Sequence, residues 1–239
     1  MSSTAAVAIL QERFERFIPS MPGYENVDEL LKGVHLEGKK RADYLLCDRR
    51  VIVEQKVLIH DPSRKPQQFV TQLIRERGYL LYGTTSTNRI FAGMADGQEQ
   101  KRRMFLDITK GVEANFAAAD KQTRDTREIF AIPDAVGIVL FLNLSAPTLH
   151  PDLIRFGLSQ TLQKKREDGS MRYRHTDGLV VISEAHIDRT NGSRGAPCYS
   201  SPTPHSQNEH LVREVSDLLI QSWAAFNGVP VRRQESFKV

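Results

Sequence analysis

The sequence predicts an α/β protein in which a mixed central sheet is flanked by helices. Three observations carry that expectation. The stretch "VGIVLFLNL" at 136–144 is apolar without interruption, as in a strand covered on both faces. The stretch "RADYLLCDRRVIVEQKVLI" at 41–59 reads as two apolar strands around a polar turn. Around both lie segments whose apolar residues recur at helical spacing. With 239 residues and 40% hydrophobic content the chain has material for one large core. No internal repeat divides it, so residues 1–239 are read as a single domain.

The elements follow in order. Val7, Leu10, Phe14, Phe17 and Ile18 predict a helix over 5–18, stopped by Pro19. Asn26 caps a short helix over 27–32 that Gly33 ends, and "VHLEG" at 34–38 reads as a first strand. After the 41–59 hairpin, Pro62 and Pro66 open a helix over 67–82. The polar, glycine-containing stretch from 83 to 104 reads as a connection with a short strand "RIFAGM". Helices are expected over 105–130 and 150–165, with a strand "DGLVVIS" at 177–183. Residues 189–208, dense in Gly, Pro, Ser and Asn, read as a mobile loop. A final helix over 209–226 buries Leu211, Val215, Leu218, Leu219 and Trp223.

Composition limits the function classes. Two cysteines, Cys47 and Cys198, do not make a disulfide framework, and no apolar run is long enough to span a membrane. The N-terminus has no basic region before its short apolar stretch and does not read as a signal peptide, so a cytoplasmic location is expected. The net charge of +4 permits a polyanionic partner without demanding one.

The hairpin carries charge where apolar residues belong. Asp43 shares a strand face with Leu45 and Cys47, and Glu54 and Lys56 share one with Ile52 and Leu58. A reversal centred on Asp48 and Arg49 sets Leu46 against Val51, Leu45 against Ile52 and Asp43 against Glu54. Asp-Arg is not a favoured two-residue turn; a longer symmetric loop keeps this register, whereas an odd one shifts it. Opposed carboxylates about 4 Å apart repel by about 4 kcal/mol at an intermediate dielectric. Lys56 compensates in part, and a hard divalent cation bound through oxygens does so better. A second "EQK", Glu99-Gln100-Lys101, lies in a polar stretch without strand character and reads as solvated charge.

Asp43, ten intervening residues and then Glu54-Gln55-Lys56 on the next strand resemble the PD-(D/E)XK nuclease superfamily. Ala42 stands where that pattern often has Pro. The resemblance covers residues 5 to about 145 and implies a restriction-endonuclease-like core. It further implies an acid on the first helix and a Lys or Gln on the helix behind the motif strands. Glu12 is the first choice for the acid, with Glu15 as rival; Gln122 is preferred over Gln72 because its helix precedes the interior strand. Residues 61–104 would then be an insertion.

The chemistry accounts for the residue types. Phosphodiester cleavage puts negative charge on phosphate oxygens and needs an activated, in-line water. Asp43, Glu54 and the main-chain carbonyl of Gln55 are the expected ligands of Mg²⁺, with Mn²⁺ as substitute. Lys56 would orient or deprotonate the water, or stabilise transition-state charge. Other centres are weak: the histidines lack metal-ligand spacing, and His175 and His186 read as ordinary strand-end residues. Of the basic clusters, Lys39, Lys40 and Arg41 directly precede Asp43 and are the expected phosphate contacts. The expected partners are nucleic acid, DNA ahead of RNA, and a second copy of the chain. The alternatives are an inactive nucleic-acid- or protein-binding module on the same fold, or a structural α/β protein.

Overall fold

The computed structural model describes residues 3–78, 85–187 and 195–231. Six strands form one open mixed sheet in sequence order: β1 (Glu25–Asn26), β2 (Tyr44–Leu46), β3 (Val51–Leu58), β4 (Val136–Asn143), β5 (Gly178–Ser183) and β6 (Cys198–Pro202). The pairings β1·β2, β2·β3 and β5·β6 are antiparallel, while β3·β4 and β4·β5 are parallel. The helices are α1 (Ser3–Phe17), α2 (Val27–Leu30), α3 (Lys65–Arg77), α4 (Thr87–Ala92), α5 (Gly97–Phe130), α6 (Pro151–Leu162) and α7 (Glu209–Phe226).

Strand alternation sorts the core onto two faces. Val51, Val53, Ile138, Leu140, Leu142, Val180 and Ile182 meet Leu10, Phe14 and Phe17 of α1 and Val215, Leu219 and Trp223 of α7. Leu58, Val139, Phe141, Leu179 and Val181 meet Met104, Ile108, Val112 and Phe116 of α5 and Ile154, Leu158 and Leu162 of α6. Every residue of β4 is buried, so the uninterrupted apolar run at 136–143 is the sheet's interior strand. Among the described residues, no helix is long and apolar enough to cross a membrane.

The hairpin register is the one the symmetric reversal requires: Tyr44 opposite Val53, Leu45 opposite Ile52 and Leu46 opposite Val51. The loop spans Cys47 to Arg50, with Cys47, Asp48 and Arg49 all left-handed (φ 52°, 54° and 64°). Each such residue costs about 1 kcal/mol or more. The Cys47 N–H is anchored by donating to the Pro22 carbonyl at 2.7 Å. Gly23, itself at φ +60°, lets the chain lie against this loop, because a Cβ there would overlap the Asp48 nitrogen.

Several expectations are corrected. "VHLEG" forms no strand; the strand beside β2 is the two-residue β1, followed by α2, whose Asn26 cap accepts from the Glu29 N–H at 3.1 Å. "RIFAGM" is not a strand, since its first four residues end α4, capped by Ser86. Glu99-Gln100-Lys101 lies in the opening turns of α5, and Gln100 is buried, donating to Asp96 at 2.7 Å. The helix predicted over 67–82 runs from Lys65 to Arg77 and is closed by left-handed Gly78; residues 79–82 lie outside the described residues. Residues 105–130 are the later part of α5, which begins at Gly97, and the 61–104 boundary falls inside that helix. Within the predicted loop 189–208, residues 189–194 lie outside the described residues, and Cys198–Pro202 is the edge strand β6.

Candidate active site

On the sheet face beneath α5, the apolar packing is split. Ile52 belongs to a small cluster with Val27, Ala42, Leu45 and Ala135, while Leu58 belongs to the large cluster under α5 and α6. Strand alternation puts Glu54 and Lys56 between them, and the hairpin register carries Asp43 to the same place. The gap is polar, and its groups hold one another.

Beyond the last ladder pair, the Asp43 side chain substitutes for a strand: its Oδ2 accepts from the Gln55 N–H at 2.7 Å. Lys56 Nζ donates to Glu54 Oε1 at 2.5 Å and to Gln122 Oε1 at 2.8 Å. Gln122 Nε2 in turn donates to the Arg41 carbonyl at 2.8 Å. The segment before the first acid is fastened to α5 at two more points: Lys40 N–H donates to Asp125 at 3.0 Å, and Ala42 N–H donates to Thr126 Oγ1 at 2.8 Å. On the other side the Asp43 carbonyl accepts from the Val27 N–H at 3.0 Å.

Glu54 is 1% exposed, and its Oε2 has no hydrogen-bond donor among the described residues. Burial, then the neighbouring Asp43 carboxyl, push Glu54 up to about 8, with Lys56 opposing them. Asp43 is also raised, by burial first and by the Asp28 charge, against the lowering effects of the Gln55 N–H and Lys56.

The oxygen donors suit a hard cation. Asp43 and Glu54 supply two carboxylates, one with an unpartnered buried oxygen. Because the N–H and C=O of one strand residue leave on the same side, the Gln55 carbonyl points toward Asp43 along with its N–H. Among the described residues no group of three or more His, Cys, Asp or Glu is arranged to hold a metal, so the nitrogen- and thiolate-rich sets that suit zinc have no counterpart in them.

Asp43, Glu54, Lys56 and Gln122 are therefore brought together. Glu12 is not brought to them. Leu10 and Phe14 define the buried face of α1, and a residue two positions from each points away at 100° per step, leaving Glu12 exposed. Glu15, its rival, is also exposed and accepts from Gln11 at 2.9 Å. Gln72 is exposed on α3 and donates to Glu76. Of the basic run, Lys39 pairs with Glu128 at 3.1 Å and Arg41 pairs with Asp28. Asp28, Asp125 and Thr126 escaped the sequence reading; the α5 contacts join positions 84 and 85 apart, for which spacing gives no signal. His186 is engaged by Ser183 Oγ and the Pro147 carbonyl, each at 2.8 Å, as a strand-end residue.

In comparisons with known proteins the chain matches no family model, no curated protein and no solved structure.

Proposed function

We propose that the protein is a metal-dependent nuclease of restriction-endonuclease-like fold, acting on DNA in preference to RNA. The observation that carries this reading is the buried, unpartnered Glu54 oxygen beside the Asp43 carboxyl, with Lys56 fixed next to both. Asp43, Glu54 and the Gln55 carbonyl would hold Mg²⁺, which when bound supplies the electrophile for a phosphate oxygen and lowers the pKa of water.

The chain's own groups divide the remaining work. Lys56 carries three N–H bonds, two of which go to Glu54 and Gln122; the third is directed to the attacking water or to charge developing on the phosphate. Gln122 sets the position of that ammonium and of the main chain before Asp43. Burial of Glu54 excludes bulk water from the acid pair and strengthens its interaction with a cation.

The near-complete burial of Glu54 also favours a second reading, a binding module on the same fold whose site stays closed. One assay separates them: labelled single- and double-stranded DNA and RNA are incubated with the protein in Mg²⁺, Mn²⁺ or EDTA. Cleavage that requires the cation and is lost in Asp43→Asn supports the nuclease. Binding of nucleic acid without cleavage under every condition supports the module, and calorimetry showing no uptake of Mn²⁺ ends the metal reading.

A further inference from the structure

The main chain from Arg41 to Asp43 is held to α5 on one side and to α2 on the other. The Arg41 carbonyl accepts from Gln122 at 2.8 Å, the next N–H donates to Thr126 at 2.8 Å, and the carbonyl of Asp43, two residues on, accepts from Val27 at 3.0 Å. The main-chain anchors fix where the Arg41 side chain starts, and the ion pair that it already makes lowers the cost of ordering it on a ligand. Its present partner is the Asp28 carboxylate, reached through Arg41 Nε. Asp28 adjoins Val27, whose N–H bonds to the Asp43 carbonyl, so the ion pair lies close to the first acid of the site.

The pair is built for exchange. The two side chains are 39% and 69% exposed, and exposed pairs of this kind contribute little to stability. A carboxylate and a phosphate present the same acceptor geometry to a guanidinium, but the phosphate carries its charge on the substrate. Lys39 differs, because its partner Glu128 lies toward the end of α5, six residues past Gln122. Lys40 is exposed, and among the described residues its main chain alone is tied, to Asp125.

We infer that Asp28 is an internal stand-in for a substrate phosphate: nucleic acid takes Arg41 from Asp28, so that Arg41 holds a backbone phosphate beside the acid pair and Asp28 tunes how tightly it does so. This rests on the nuclease reading above and adds to it the group that seats the substrate and the group that competes for it. No covalent step is involved; one charge-assisted contact replaces another.

The test is equilibrium binding of the full-length protein to a fluorescein-labelled DNA duplex in EDTA, across a series of salt concentrations. Asp28→Asn should tighten binding about twofold to fivefold, the range of an exposed ion pair, with an unchanged salt slope. Arg41→Gln should weaken binding and flatten the slope by about 0.9. In the Arg41→Gln background, Asp28→Asn should have no further effect, which distinguishes exchange from general removal of a negative charge. Equal tightening in both backgrounds, or none in either, overturns the inference while leaving the nuclease reading standing. A wild-type protein that binds neither duplex nor single strand in EDTA and cleaves neither in Mg²⁺ overturns both. Circular dichroism melts of each variant confirm that a weakened variant is still folded.

Discussion

Lys56 Nζ donates to the side-chain oxygen of Gln122 at 2.8 Å, joining the motif strand to α5 across 66 residues of sequence. Gln122→Ala leaves Lys56 with Glu54 alone and the Arg41 carbonyl without its donor. Single-turnover cleavage should fall on the order of tenfold to a hundredfold, and stability should fall by about 1–2 kcal/mol in urea titration. Lys56→Met removes the ammonium itself and should cost a hundredfold or more in rate with nucleic-acid affinity little changed. A rate within a few fold of wild type would make the lysine a structural partner of Glu54 and Gln122 with no part in the chemical step.

Asp43 has two jobs that substitution separates. Asp43→Asn keeps an oxygen for the Gln55 N–H and removes one of two crowded carboxylates, so metal-free stability should stay equal or rise while Mn²⁺ binding is lost. Asp43→Ala loses the acceptor as well and should be about 1–3 kcal/mol less stable than Asp43→Asn. Calorimetry and urea titration of the two variants check both halves.

The acid pair gives metal-free protein a particular pH dependence. Glu54 has its folded pKa raised to about 8 from the ordinary 4.5, so between those values the folded state holds a proton that the unfolded state has lost. That contribution is fully present at low pH, declines as pH rises from about 4.5 to 8, and is flat above, with a slope of at most roughly 1.4 kcal/mol per pH unit. Glu54→Gln removes this share of the slope and leaves that of Asp43, whose pKa is also raised. Relative to the variant, wild type in EDTA should therefore be less stable at pH 8 than at pH 5.5, and saturating Mg²⁺ should reverse much of the difference by binding the folded state.

Thr126→Val is nearly isosteric and strips the acceptor from the Ala42 N–H, a residue only 1% exposed. The expected loss is about 1–3 kcal/mol of stability. Because Ala42 precedes Asp43, Mn²⁺ affinity should fall in the same variant; unchanged affinity would show that α5 does not position the acid.

Which parts of this arrangement could be read from residues alone follows from where the stabilising contacts lie. The interior strand at 136–143 and the C-terminal helix at 209–226 announce themselves because burial dictates their composition. The register of Asp43 and Glu54 could be obtained by counting, since a symmetric loop preserves it. Strand β6 could not: an edge strand pairs on one side only, and "CYSSP" needs no apolar alternation to do so. The opening of α5 is polar because its first turns carry no repeating apolar stripe, and Gly97, read as a breaker, is required there, since a Cβ would overlap the Phe91 carbonyl. At the site, Gln122 was accessible through the order of elements. The Arg41–Asp28 pair was not, because α2 is brought to Asp43 only by the β1·β2 pairing, and β1 is two residues long.

The parallel pairing of β3 with β4 has a consequence for how the chain assembles during synthesis. The contact between Asp43 and Gln55 spans 12 residues, whereas that between Lys56 and Gln122 spans 66. Closing the longer loop costs roughly 1.5 kcal/mol more in chain entropy. On a ribosome adding about 5–20 residues per second, α5 emerges roughly 3–13 seconds after the hairpin. For that interval Leu58 lacks its helical cover and Lys56, beside the acids, lacks the Gln122 oxygen that helps to hold it. The nascent hairpin is then at its most exposed to wrong strand partners, and the carboxylates that burden the finished fold keep its edge charged and discourage them.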